Sequence, residues 1–145
     1  MYCANRLDEN RNDDDRMKQL EQLMELAHSS SAVTRECICS ASPVAGWERV
    51  PPSFPESQMR QLWTLVADPF DEPTYLEFHP SGTNYWSENA PIASHFYPYN
   101  RCTVAQCVEC GRAYLRYTEA GGYYVEPRIR ALNPQLIVDA RVPAR

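Results

Sequence analysis

Cys107-Val108-Glu109-Cys110-Gly111 constrains this chain more than any other stretch. Two cysteines with two residues between them can aim both sulfurs at one tetrahedral ion, and the glycine that follows lets the backbone turn back beneath it with φ > 0. Arg112-Ala113-Tyr114-Leu115-Arg116-Tyr117 runs on with the look of a strand. The motif is therefore expected as a metal knuckle at the mouth of a β-hairpin. A thioredoxin-like site would open a helix here instead. A zinc deaminase would need H-x-E and then P-C-x-x-C, whereas Gln106 precedes Cys107 and neither His79 nor His95 has a glutamate two residues on.

A structural zinc site takes four protein ligands. Cys107 and Cys110 supply two, and the other pair is either Cys37 with Cys39 or Cys102 with His95. Cys3 and Cys102 otherwise read as a bystander near the N-terminus and a small buried hydrophobe. The first option brings a C-x-C and a C-x-x-C together across 67 intervening residues. That separation is tolerable, because loop-closure cost grows only logarithmically with length. The set suits zinc, with iron as the other metal that four thiolates accept.

The C-x-x-C-G knuckle with its following hairpin, Asn100–Leu132, and more loosely Cys37–Trp47, resembles the zinc-ribbon family. In that family paired knuckles at hairpin ends clasp one structural ion. The resemblance implies Zn2+ held by Cys37, Cys39, Cys107 and Cys110. Tyr97–Ala140 also resembles small bacterial proteins to which no activity attaches.

A chain of 145 residues is enough for one domain that buries roughly 70% of its unfolded surface. No apolar run approaches the roughly 20 residues of a bilayer span, and Met1–Arg6 lacks the apolar core of a secretory leader. A reducing cytoplasmic location is the expectation, which favours metal ligation over disulfides.

Residues 1–12 show no periodicity and are expected as a mobile tail ahead of a single zinc-stapled domain over 13–145. Asp13-Asp14-Asp15 should open a helix, since acids at that end complement its dipole. Met17, Leu20, Leu23, Met24 and Ala27 then form one apolar stripe that ends at Ser29-Ser30-Ser31. Gln61–Ala67 and Thr74–His79 read as a hairpin, with Met59–Val66 as a short helix the alternative. Ala113–Thr118 and Tyr123–Ile129 read as a second hairpin, whose Gly121-Gly122 turn should use positive φ and whose Pro127 must face an edge or a bulge. The fold class is thus α+β: an N-terminal helix, small antiparallel hairpins and a zinc-ribbon-like knuckle.

No nucleophile elbow, H-E-x-x-H or phosphate loop occurs, and Glu77 with His79 on one strand face is meagre support for acid–base work. A non-catalytic, protein-binding module is the better expectation. Residues 1–100 carry a net charge of −8 and residues 101–145 a net of +3. The acidic part would steer a basic partner, as bacterial immunity proteins do when they neutralise a cognate toxin. Loop aromatics Trp47, Tyr85, Trp86, Tyr97 and Tyr99 are the candidate contact residues, because aromatics dominate binding hot spots. The alternative is a nucleic-acid-binding ribbon, with Arg112, Arg116, Arg128 and Arg130 meeting phosphates and Tyr114, Tyr117, Tyr123 and Tyr124 stacking on bases. A pI near 5.2 argues against it.

Overall fold

A computed structural model describes residues 3–143, with side chains from residue 14 onward. Helix α1 spans Cys3–Ser31, and the strands are β1 (Glu48–Arg49), β2 (Met59–Thr64), β3 (Ile92–Ala93), β4 (Thr103–Cys107), β5 (Ala113–Ala120), β6 (Val125–Ala131) and β7 (Ile137–Val138). Five strands form an antiparallel sheet in the order β1-β6-β5-β4-β2, and β3 pairs with β7 in a small parallel ladder. One helix and a mainly antiparallel sheet make this an α+β fold, with four cysteines clustered in a knuckle-like site. Among the described residues, no helix is long and apolar enough to cross a membrane.

α1 starts ten residues before the triple aspartate. Arg, Leu, Glu and Ala are good helix formers, and they carry the helix through 3–12 without an apolar stripe. Met1 and Tyr2 lie outside the described residues, as does the side chain of Cys3. Leu23 and Ala27 are buried and Leu20 and Met24 half-buried, while Met17 is exposed because it lies a turn before the sheet begins to cover the helix. The Ser30 hydroxyl accepts the Ala113 N–H at 2.8 Å, which pins the last turn to the start of β5.

Residues 74–79 do not form the second strand of a hairpin. β2 pairs with β4 instead, Met59 opposite Cys107 and Thr64 opposite Thr103, with a bulge between Gln61 and Trp63. Pro69, Pro73 and Pro80 deprive the 68–80 stretch of ladder donors. Its carbonyls are claimed by other groups: Arg101 donates to Pro73 O at 2.8 Å and Asn100 Nδ2 to Thr74 O at 2.9 Å.

The second expected hairpin is present as β5–β6, with Tyr114 opposite Ala131 and Ala120 opposite Val125. Its turn works differently from expectation. Positive φ among described glycines falls at Gly82 and Gly111, not at Gly121 or Gly122. A Cβ at Gly121 would meet the half-exposed Tyr124 ring at 2.7 Å, so any larger residue there requires that side chain to turn away. The Pro127 carbonyl accepts from Val50 N–H at 3.1 Å on the β1 side. In an antiparallel strand the N and O of one residue point the same way, so the missing donor faces the short edge strand.

Alternation along β5 splits the interior in two. Ala113, Leu115 and Tyr117 join Leu23, Ala27, Trp47, Leu65, Val104 and Tyr99 under the helix. Tyr114 points the other way and packs with Cys39, Val44, Phe54, Cys107 and Ile129.

Candidate metal centre

The cysteines that matter sit in two tight turns at one end of the sheet. Cys107 closes β4, and Gly111, with φ of +91°, reverses the chain so that its N–H reaches Cys107 O at 2.9 Å. Arg112 N–H then donates to Cys110 Sγ at 3.4 Å. The other turn is a 3-10 helix, Ile38–Ser40, in which Ser40 N–H donates to Cys37 O at 3.1 Å. Gln58, just ahead of β2, holds the Cys107–Cys110 turn from the side: Val108 N–H donates to Gln58 O at 2.8 Å.

The sulfurs of Cys37, Cys39, Cys107 and Cys110 all lie within 4.8 Å of one another. Cys37 and Cys107 are 3.7 Å apart, and Cys39 and Cys110 are 3.5 Å apart. A tetrahedral ion with metal–sulfur bonds of about 2.3 Å has sulfur–sulfur edges of about 3.8 Å. The group can therefore hold one metal ion with little adjustment. Cys39 and Cys107 are buried, while Cys37 and Cys110 are half-exposed.

Several groups orient the sulfurs. The Tyr114 hydroxyl lies 3.1 Å from Cys39 Sγ and 3.2 Å from Cys39 O. Gln58 Oε1 sits 3.4 Å from Cys107 Sγ and 3.6 Å from Cys37 Sγ. Two arginines latch the turns to each other: Arg35 donates to Glu109 O at 2.9 Å, and Arg112 donates to Arg35 O at 2.7 Å. Donors such as the Tyr114 hydroxyl and the Arg112 N–H fix ligand geometry and tune affinity in metal sites, whereas Gln58 Oε1 accepts only from a protonated thiol. Burial pushes the Cys39 thiol well above its ordinary value, against the hydrogen bond from Tyr114. Burial also raises Cys110, yet the N–H and guanidinium of Arg112 with Cys39 and Cys107 outweigh it and bring Cys110 down to about 7. Ligation by a cation would take all four to thiolates.

The alternative ligand pair is not assembled. Cys102 is fully buried under the helix, where its thiol donates to Pro98 O at 3.3 Å, and His95 lies 3.7 Å from Asp139. Burial holds Cys102 well above its ordinary value and holds His95 below, with Arg16 adding to the His95 shift.

Two of the five expected contact aromatics are core residues, and two more pack partly buried against the core. Trp47 is 2% exposed and Tyr99 is likewise buried; their ring centroids are 5.6 Å apart, and Tyr117 meets Trp47 edge-on at 4.9 Å. Tyr85 and Tyr97 are half-buried in a network with Tyr117, Glu119 and Arg128. Trp86 alone of the five is exposed, at 56%. The large apolar area of these rings is what closes the helix-side core, and loop position gave no sign of that.

The arginines of the C-terminal hairpin are also engaged. Arg130 is 0% exposed, and its guanidinium donates to the carbonyls of Ala45, Glu88 and Ala90 and to the Tyr99 hydroxyl. Arg128 bonds Glu126, Tyr85 and Tyr117, and Arg116 pairs with Glu56 at 2.6 Å. Gln58 and Arg35 carried no signal in the sequence. Tyr114 was readable as a strand residue but not as a partner of sulfur. Comparison with family models, curated proteins and solved structures gave no match.

Proposed function

We infer that the chain is a non-catalytic protein-binding module whose four-cysteine centre holds a structural Zn2+, and that its partner is a basic protein. An immunity-type role, in which the module neutralises a cognate bacterial toxin in the cytoplasm, fits this description. The observation that carries the reading is the closed set of four sulfurs at tetrahedral spacing. Four protein thiolates leave no coordination position for water or substrate, which is the arrangement of structural rather than catalytic zinc. Zinc accepts such a set without redox chemistry.

The hydrogen bonds that Arg112, Arg116, Arg128 and Arg130 make within the fold weigh against a nucleic-acid reading. A basic protein is favoured by charge: residues 61–100 contain five acids and no lysine or arginine.

Native mass spectrometry with elemental analysis tests the metal, and one zinc per chain is the expected result. Co-expression with the product of the adjacent gene tests the partner. A one-to-one complex that survives gel filtration, and that relieves the toxicity of the neighbour, is expected. Iron in place of zinc, or an adjacent product that neither binds nor is toxic, would remove the corresponding half of the reading.

A further inference from the structure

The four sulfurs of the cysteine centre fall into two close pairs, Cys37 with Cys107 at 3.7 Å and Cys39 with Cys110 at 3.5 Å. Both pairs cross from one turn to the other. Each also unites a half-exposed sulfur, Cys37 or Cys110, with a buried one, Cys107 or Cys39. An oxidant therefore reaches one sulfur of either pair, and the second waits behind it. That is the order in which a disulfide forms: an accessible thiolate is oxidised first and a neighbouring thiolate then resolves it. A disulfide bond is about 2.05 Å long, so each pair has roughly 1.5 Å to close. Cys102 supplies the contrast. It is fully buried, its thiol donates to Pro98 O at 3.3 Å, and it lies outside the four-sulfur group.

We propose that the centre is a modification site with two closed states: a metal held by four thiolates and, after reaction with hydrogen peroxide, two disulfides that join Cys37 to Cys107 and Cys39 to Cys110. The proposal rests on the four-cysteine centre of the reading above and goes beyond it, because the clasp outlasts the ion. Both bonds tie the 37–39 turn to the 107–110 turn, so the cover of the sheet stays attached once the metal has gone. A disulfide within either turn would let the two turns part.

In each pair the outer thiolate attacks a peroxide oxygen, the O–O bond breaks, and the departing hydroxide takes up a proton to become water. The sulfenic acid now on Cys37 or Cys110 is attacked by the buried thiolate. The S–S bond forms, the S–O bond breaks, and a second hydroxide leaves and is protonated. Two electrons pass from each pair to one peroxide. Four thiolates, two peroxides and four protons thus give two disulfides and four waters, and zinc departs as Zn2+ with its charge unchanged.

The test uses the full zinc-loaded chain in a Cys3→Ser background, treated with about two equivalents of hydrogen peroxide. A chromogenic chelator should register release of the zinc, and the intact mass should fall by four hydrogens, with Cys102 still free to alkylate after unfolding. Tandem mass spectrometry of non-reduced peptides, cleaved after Glu109 to part Cys107 from Cys110, should find Cys37–Cys107 and Cys39–Cys110. Amides in 37–44 and 107–114 should stay protected from exchange in the oxidised chain and lose protection in the reduced chain stripped by chelator. The double variant Cys37→Ser/Cys110→Ser keeps only the two buried sulfurs. It should form a disulfide on the order of tenfold more slowly than Cys37→Ser/Cys107→Ser, which keeps one pair whole. Bonds within a turn, links between chains, or sulfinic acids in place of disulfides would overturn the proposal. So would an oxidised chain whose two turns exchange as freely as the chelated one. The peptide map is read with all four sulfurs present, so it decides the pairing even where a double variant fails to fold. Metal content is measured before oxidation, so iron in place of zinc would remove the zinc reading while the map still decides the pairing.

Discussion

The two faces of the central sheet are closed by different chemistry. Under α1 the seal is apolar: Leu23, Ala27, Val104 and Leu115 meet a layer of rings from Trp47, Tyr99 and Tyr117. On the opposite face Val44, Phe54, Tyr114 and Ile129, with Val50, Met59 and Ala131 partly buried beside them, surround the sulfurs, and the segments that cover them are loops and single 3-10 turns. A cover of that kind contributes little hydrophobic stabilisation, and it pays the full entropy of ordering its loops. One metal ion held by residues 37, 39, 107 and 110 would replace what a second helix does elsewhere. The difference teaches that the ion and the helix are alternative ways of holding the same sheet.

Removing the ion should break the comparison most severely. Chelation, or Cys107→Ser, is expected to destabilise the cysteine face by several kcal/mol, a large share of the roughly 5–15 kcal/mol that a domain has in total. Hydrogen exchange locates the loss. Amides in 37–44 and 107–114 should lose protection at chelator concentrations that leave the helix-side amides of Leu23 and Leu115 protected. Simultaneous loss on both faces would show that the sheet is one cooperative unit and that the two seals are not separable.

The helix side has its own critical group, which is polar. Arg130→Met removes the donors that satisfy the carbonyls of Ala45, Glu88 and Ala90 and the hydroxyl of Tyr99. A cost of about 3–5 kcal/mol is expected, because several buried acceptors lose their partner together. Chemical denaturation measures it, and zinc content should be unchanged. Metal loss in this variant would mean that the two faces are coupled through β6.

Much of the cysteine face was legible before any coordinates, and the helix face was not. C-x-x-C-G has a fixed local geometry, so Cys107, Cys110 and Gly111 announce a knuckle, and C-x-C at 37 and 39 is the matching partner by number of ligands. The strand alternation at Ala113–Tyr117 was visible too. What pairs with β2 was hidden, because β4 lies some forty residues away and nothing local in Met59–Thr64 names it. The destination of Trp47 and Tyr99 was hidden for another reason: a ring flanked by prolines and polar residues reads the same whether it faces water or a core. Arg130 is the extreme case, since an arginine in a strand next to Arg128 gives every sign of the surface and is fully buried.

Smaller substitutions sharpen the account of the knuckle itself. At Gly111 a Cβ would find only Val33 Cγ2, at 3.8 Å, so space is no obstacle. The φ of +91° is the obstacle, and Gly111→Ala should cost about 1–3 kcal/mol through backbone strain alone. Gly111→Asn, which tolerates left-handed backbone better, should recover part of it. A loss of equal size in both variants would point to crowding against Val33 rather than to conformation. Thermal unfolding of the zinc-loaded forms separates the two.

Tyr114→Phe should have the smallest effect on stability, about 1 kcal/mol, since one hydroxyl with two acceptors is lost and the ring stays packed on Phe54. Its effect on the metal should be larger in proportion. The hydroxyl is a donor to one of the two buried sulfurs, and a thiolate without that donor is left with its charge less satisfied. Faster zinc transfer to a chromogenic chelator, by tenfold or so, is therefore expected at nearly unchanged melting temperature. Transfer at the wild-type rate would place Tyr114 among packing residues only and leave Cys39 to be held by its own turn.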